Sequence, residues 1–306
     1  MTIDLETFQN LPAEEIARLV RAAGPQVCVF PVNGTRRWFW LEHSNEPDMS
    51  LDRYVDVAAR TYIRLFSMLY DHGIDTILSP AYGEELLARG DEYINATLAN
   101  GLPVLEAPDF LAFYERYNIR FRFYGNYRSV MGKAVYAPQL ELLDRISDRT
   151  RQNKQRRLFF GLFSNDASEQ VGEFAINYYL KEKRYPDRKE IIRQYYGDFI
   201  ETATMFIGFE KPAVFDYPLL SLGNESLYFT AVPSPYLTIA TLRKILYDHL
   251  FSRRIQDPDW DRLPETELNA LRNYYKKEEE TVLGIGRIFH NVWIPEQTGK
   301  ELAGKC

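Results

Sequence analysis

The sequence predicts an α/β fold, with a central, mostly parallel sheet flanked by helices. Two observations predict it. Short, dense apolar runs alternate with longer segments whose apolar residues recur at helical spacing. The order strand, helix, strand lays strands parallel and covers both faces of the sheet. With 306 residues, 45% of them hydrophobic, the chain can bury a sizeable core. It shows neither an internal repeat nor a low-complexity linker, so residues 1–306 read as one domain.

Taken in order, 13–23 is an amphipathic helix stopped by Gly24. Residues 26–31 form a buried strand that runs into a loop, 32–37. A long helix over 51–72 places Leu51, Tyr54, Val55, Ala58, Tyr62, Leu65, Phe66 and Leu69 on one face, and Gly73 closes it. The strand 76–79 and helices over 83–99 and 108–117 follow. Residues 119–124 alternate basic and apolar side chains up to Gly125, and 158–163 is a dense apolar strand. The stretches 126–156 and 254–263 are charged and poorly periodic. Helices are expected over 166–183, 188–196, 238–254 and 265–275, and strands over 204–208 and 226–230. The last apolar runs, 282–288 and 292–294, suit a terminal strand or hairpin. In parallel sheets ligands bind beyond the carboxyl ends of the strands. The loops after Pro31, Ser79, Gly125, Phe163 and Gly208 should therefore gather around one site.

Composition narrows the function classes. A formal charge of −6 disfavours a general nucleic-acid binder, although 37 lysines and arginines leave room for a local phosphate site. Cys28 sits in an apolar run and reads as a core thiol, and Cys306 is terminal. Two such cysteines make no disulfide framework, which fits a reducing cytoplasm. The sequence shows neither a signal-peptide pattern nor a run of apolar residues long enough for a membrane span. The 21 tyrosines, 19 phenylalanines and 4 tryptophans suit either an aromatic core or a pocket for a hydrocarbon, where ring faces can stabilise a cation.

The most informative segment is Asn33-Gly34-Thr35-Arg36-Arg37-Trp38, directly after the first strand. Glycine lets the backbone approach a ligand closely, successive amides can cradle phosphate oxygens, and two arginines supply permanently charged donors. The segment equally suits an ordinary turn carrying two surface arginines. Four histidines, His43, His72, His249 and His290, lack zinc-like spacing. His72 and His249 fall near helix ends, where a cation is favoured. Gly284-Ile285-Gly286 reads as a bulge in a terminal strand.

The arginine segment is similar to the Asp-Gly-Asn-Gly-Arg-Trp signature of cis-prenyltransferases. Arg120 to Asn126 resembles that family's strand ending in Gly-Asp, and Gly161 to Ala167 stands where it has a Gly-Gly-Arg turn. Phe30 to Phe39, Asn165-Asp166-Ala167, Phe215 to Ser221, Leu227-Tyr228-Phe229-Thr230 and Arg243 to His249 resemble the bacterial diterpene synthases of this fold. The likeness runs from Leu11 to about Trp293.

The resemblance implies the undecaprenyl diphosphate synthase-like fold, a homodimer, and Mg²⁺. It implies loss of diphosphate from a bicyclic diterpenyl diphosphate of kolavenyl or tuberculosinyl type. Capture of the allylic cation by water would give a diterpene alcohol such as kolavelool; capture by adenosine would give a prenylated nucleoside. It places Gly34, Thr35, Arg36 and Arg37 on the diphosphate, Asn33 on a magnesium-linked aspartate position, and Tyr54, Asp91 and Tyr93 at the active site. Tyr54 also fits a core tyrosine on the helix stripe, and Asp91 and Tyr93 also fit a solvated helix face. The acidic pair Glu84-Glu85 lacks the spacing of an aspartate-rich motif.

Two departures matter. Chain-elongating members carry an Arg-x-Arg-x-Ser-type clamp for a second diphosphate, whereas between Arg193 and Arg243 this chain offers only Lys211. Elongation is therefore disfavoured. Asn33 keeps the shape of aspartate but loses its charge, which a hard cation prefers. That leaves open a divergent synthase, a disabled one, or a non-catalytic diphosphate-lipid binder.

Overall fold

Six short segments pair edge to edge: β1 (Val27–Val29), β2 (Thr76–Tyr82), β3 (Ile119–Tyr124), β4 (Arg156–Leu162), β5 (Met205–Phe209) and β6 (Ser226–Thr230). Their order is β3-β4-β2-β1-β5-β6, and every pairing is parallel. The computed structural model describes residues 3–83, 88, 90–254 and 257–296, with the backbone alone for 91–93 and 96. Cys306, Glu84, Glu85 and Arg89 lie outside the described residues.

Alternation along the strands divides the core in two. Cys28, Ile77, Phe121 and Leu158 face one layer, packed by α1 (Leu5–Asn10), α2 (Ala13–Ala22), α4 (Leu51–Asp71), α6 (Pro108–Tyr117), α8 (Ala137–Arg149) and α11 (Ile239–Tyr247). This layer is rich in rings: Phe66 meets Phe113 and Phe160, and Phe121 meets Phe160 edge-on at 4.9 Å between centroids. Such pairs add about 0.5–1.5 kcal/mol each beyond area burial. Val27, Val29, Leu78 and Phe159 face the other layer, where Ile192, Tyr195 and Tyr196 of α10 (Arg188–Tyr196) pack. Helix α9 (Ser168–Glu182) lies outside α10, its residues half-buried or exposed. Short helices and the terminal hairpin complete the chain: α3 (Thr35–His43), α5 (Asp91–Gly101), α7 (Tyr127–Val130), α12 (Glu265–Lys277), β7 (Gly286–Phe289) and β8 (Val292–Pro295).

Several expectations change. The loop expected through Arg37 ends at Gly34, and Arg36 and Arg37 lie in the first turn of α3. The poorly periodic 126–156 holds α7 and α8; in α8 only Leu142, Leu143 and Ile146 are fully buried, with Leu140 partly so, and most other positions are polar. Within 83–99, the described helix starts at Asp91. The 238–254 helix stops at Tyr247 and widens into a π turn, Asp248–Ser252. Gly284 precedes the hairpin, and Gly286 begins β7.

The two buried histidines are neutral rather than cationic helix-end groups. His72 accepts from Arg243 Nε at 3.3 Å, and its Nδ1 is 2.8 Å from the Met68 carbonyl. Burial pushes its pKa down. His249 is 5% exposed, bonded to Ser226 Oγ and Gln26 Oε1, and burial pushes it down to about 4. Cys28 is fully buried and burial raises its pKa, so the thiol is inert. Among the described residues no helix is long and apolar enough to cross a membrane.

Candidate active site

β1 ends at the centre of the sheet, so the loop after it opens at the middle of the carboxyl edge. Gly34 caps α3 at φ 74°, a left-handed conformation. A Cβ there would lie 2.9 Å from both Phe209 Cε1 and Pro233 Cβ. Only glycine fits this corner without strain. The corner is held from the far end of the sheet: Asn33 N–H donates to Ser234 Oγ at 3.0 Å, and Ser234 N–H donates to the Asn33 carbonyl at 3.0 Å.

Helix α3 begins without a side-chain cap and without an acidic residue in its first turn. Its first intrahelical bond runs from Trp38 N–H to the Gly34 carbonyl at 2.9 Å. The preceding amides of Thr35, Arg36 and Arg37 point out of the helix start, where the dipole favours an anion. Two guanidinium groups flank that start. Arg36 is exposed and makes no ion pair among the described residues. Arg37 lies 5.4 Å from the Phe209 ring centroid and 3.2 Å from Glu210 Oε2. Amides, a helix start and two arginines make an anion site whose chemistry suits a diphosphate.

Tyrosines of α4 and β2 stand behind it. Tyr54 Oη is 2.8 Å from Thr35 Oγ1, which joins α4 to the first turn of α3, and the Tyr54 ring packs edge-on against Phe39. Tyr62 lies two turns further along α4, and its hydroxyl donates to the Val32 carbonyl at 3.5 Å, a long and weak bond. Burial, followed by neighbouring Tyr54 and Tyr82, raises the pKa of Tyr62; burial and Tyr54 raise that of Tyr82. Both phenols therefore stay protonated. In the first half of α4, Tyr54, Val55, Ala58 and Tyr62 are only half-buried, whereas Leu65, Phe66 and Leu69 further along are fully buried. The helix therefore opens an apolar, aromatic face toward the carboxyl edge and closes it below.

The other expected residues divide. Asn33 sits at the corner, and its side-chain amide makes no hydrogen bond among the described residues. Asp91 and Tyr93 open α5, and their side chains lie outside the described residues. In Asn165-Asp166-Ala167, the Asp166 carboxylate accepts from Ser168 N–H at 2.8 Å as a turn group. The opposite rim is bolted together: the Asp216 carbonyl accepts from Tyr124 Oη at 2.8 Å and Ser164 Oγ at 3.3 Å.

Sequence reasoning missed Glu210, Phe209, Pro233 and Ser234 as members of the corner. The signal available was their place just beyond β5 and β6, at the carboxyl edge where ligands bind. A cavity of about 280 Å³ lies beyond the Pro233 strap, between β6 and α11, lined by Phe229, Val232, Tyr236 and Leu237 among others. Its lining residues are uncharged, so it offers a second diphosphate no cation.

The expected Mg²⁺ finds little to hold it. The ion prefers carboxylates combined with substrate phosphates. Here the corner presents the Asn33 amide, and Glu210 is engaged by Arg37. Among the described residues no group of three or more His, Cys, Asp or Glu could hold a metal. Among the described residues, those at the corner do not supply the carboxylates that would hold a magnesium ion.

Two solved structures share this architecture. Lavandulyl diphosphate synthase from Lavandula x intermedia, in complex with dimethylallyl diphosphate, superposes with a TM-score of 0.55 at 12% identity, over 77% of this chain and 98% of that one. A probable undecaprenyl diphosphate synthase from Campylobacter jejuni gives 0.54 at 13% identity, with the same coverage. The fold is thus the cis-prenyltransferase fold expected from the sequence. No protein-family model matches the chain. Tuberculosinyl adenosine transferase of Mycobacterium tuberculosis is 40% identical over 291 residues, 94% of this chain and 97% of that protein. (+)-Kolavelool synthase of Herpetosiphon aurantiacus is 24% identical, over 92% and 93%. The chain belongs to the family of the tuberculosinyl adenosine transferase.

Proposed function

We propose that this chain is an enzyme that ionises a bicyclic diterpenyl diphosphate, of kolavenyl or tuberculosinyl type, and passes the allylic cation to a neutral nucleophile. The observation that carries this reading is the α3 start, with its free amides, Arg36 and Arg37, set beside the half-open aromatic face of α4. The amides and guanidinium groups bind the diphosphate and stabilise the charge that builds on it as the carbon–oxygen bond breaks. The α4 face and Tyr54, Tyr62 and Tyr82 receive the hydrocarbon, and their rings lower the energy of the cation. The protonated phenols of Tyr62 and Tyr82 suit this task because they are far poorer nucleophiles toward the cation than a phenolate.

With water as nucleophile, its oxygen bonds to the allylic carbon, and the released proton passes to the departing diphosphate. The product is a diterpene alcohol, the outcome named for the relative from Herpetosiphon aurantiacus. Adenosine as acceptor is the second reading, favoured by the 40% identity to a tuberculosinyl adenosine transferase. Lack of a second cationic clamp argues against chain elongation in both.

The experiment is diphosphate release with product analysis from kolavenyl, tuberculosinyl and geranylgeranyl diphosphates, each with and without adenosine, and with and without Mg²⁺. An alcohol formed regardless of adenosine supports water capture, and a mass increased by the nucleoside supports transfer. Tight binding without diphosphate release would instead make the chain a diphosphate-lipid binder. Incorporation of labelled isopentenyl diphosphate would overturn the one-diphosphate reading.

A further inference from the structure

Glu210 lies at the anion site, and neither the expected chemistry nor the resemblance assigns it a role. It follows the last residue of β5 in the left-handed region, at φ 69°, a strained conformation for a non-glycine residue. Its N–H donates to the Thr230 carbonyl at 2.9 Å, which fixes the strained residue to β6. From there its carboxylate reaches Arg37 Nη1 at 3.2 Å and is only 19% exposed. Arg37 is thereby held between a carboxylate and the Phe209 ring, whose edge also abuts Gly34. A diphosphate at the α3 start would need the same guanidinium and would meet a like charge beside it.

We propose that Glu210 is a positioning residue that acts as an internal counter-anion: it keeps Arg37 aimed while the site is empty and competes with the diphosphate for it. The inference rests on the reading that Arg36 and Arg37 receive a diphosphate. A carboxylate in this place limits how tightly substrate and released diphosphate are held, and so favours discharge of the product anion.

The test is equilibrium binding of inorganic diphosphate with a chelator present, to the full chain and to Glu210→Gln, Glu210→Ala, Arg37→Gln and the double variant Arg37→Gln/Glu210→Gln. Far-UV circular dichroism and thermal melting select the variants that fold. Either Glu210 variant should bind diphosphate roughly tenfold tighter, the scale of one like charge removed at a partly solvated edge, and the gain should shrink with salt. On the Arg37→Gln background the gain should vanish. A purely structural role for Glu210 predicts equal or weaker binding, and that result overturns the proposal. If Arg37→Gln leaves diphosphate affinity unchanged, the arginine reading itself fails, an outcome separate from failure of the Glu210 effect alone.

Discussion

The hydroxyl of Tyr54 on α4 and that of Thr35 in the first turn of α3 are 2.8 Å apart, and this bond ties the half-open aromatic face of α4 to the start of α3. Tyr54→Phe and Thr35→Val each remove it while keeping the packing. A hydrogen bond of this kind is worth about 1 kcal/mol net, so each variant should lose roughly five- to tenfold in kcat/KM for the diterpenyl diphosphate. Because both remove one interaction, the double variant should lose little more than either single one. Additive losses in steady-state kinetics would show that the two hydroxyls act separately.

Gly34→Ala should be severe at one point and mild elsewhere. The new methyl would stand 2.9 Å from Phe209 and Pro233, on a backbone at φ 74°. Strain and overpacking together should cost about 1–3 kcal/mol of stability. Moving Pro233 or Phe209 aside should also disturb the α3 start and the Arg37 contact. Urea denaturation and diphosphate binding measured on one preparation check both effects; a variant with unchanged midpoint and affinity would contradict the close packing.

Asn33→Asp probes the missing carboxylate. An added negative charge at the corner should weaken diphosphate binding when chelator is present. It should also make binding respond to Mg²⁺, because a carboxylate and the diphosphate together suit that ion. The chain with Asn33 should show the smaller magnesium response. Titrations with chelator and with Mg²⁺ on both proteins read the difference, and an identical response in the two would remove Asn33 from any metal chemistry.

His249 makes folding stability depend on pH. The folded protein holds its imidazole neutral at a pKa of about 4, because burial and the charges of Arg254 and Arg253 oppose protonation, with Asp248 opposing them. In the unfolded chain an imidazole titrates near about 6.5. The unfolded state therefore binds the proton first, and stability rises with pH across this interval. The contribution is complete above about pH 6.5 and is lost as the pH falls toward 4, on the order of 3 kcal/mol. His72, also pushed down by burial, adds in the same direction. Urea midpoints at several pH values should show the slope, and His249→Gln should flatten part of it.

Much of the architecture is legible because strands and helices carry different periods. The runs at 119–124, 188–196 and 226–230 match β3, α10 and β6 in both limits. The Gly34 corner is legible because glycine and two arginines follow a buried strand directly. The start of α3 is not, since its cap is a left-handed glycine and not a Ser, Thr, Asp or Asn side chain. Helix α8 hides because it buries only a narrow stripe. Glu210 and Arg37 meet only after β1 and β5 pair, so no local pattern announces them. His249 is likewise silent in the sequence: its burial, which keeps it neutral, and its bonds to Gln26 and Ser226 arise only when two separate strand ends come together.

The Asp216 carbonyl receives two hydroxyls from two different rim segments, Tyr124 at the end of β3 and Ser164 after β4. Three segments that share one acceptor move as one piece, so that side of the mouth behaves as a fixed jaw. Asp216 itself has φ 61°, which leaves the carbonyl little freedom to turn away. The opposite side is joined more lightly, through the Tyr54–Thr35 hydroxyl pair and the Tyr54–Phe39 ring contact between α4 and α3. On the proposed function, a crosslink between α3 and α4 should slow substrate entry without touching the Asp216 side, and pre-steady-state binding kinetics check it.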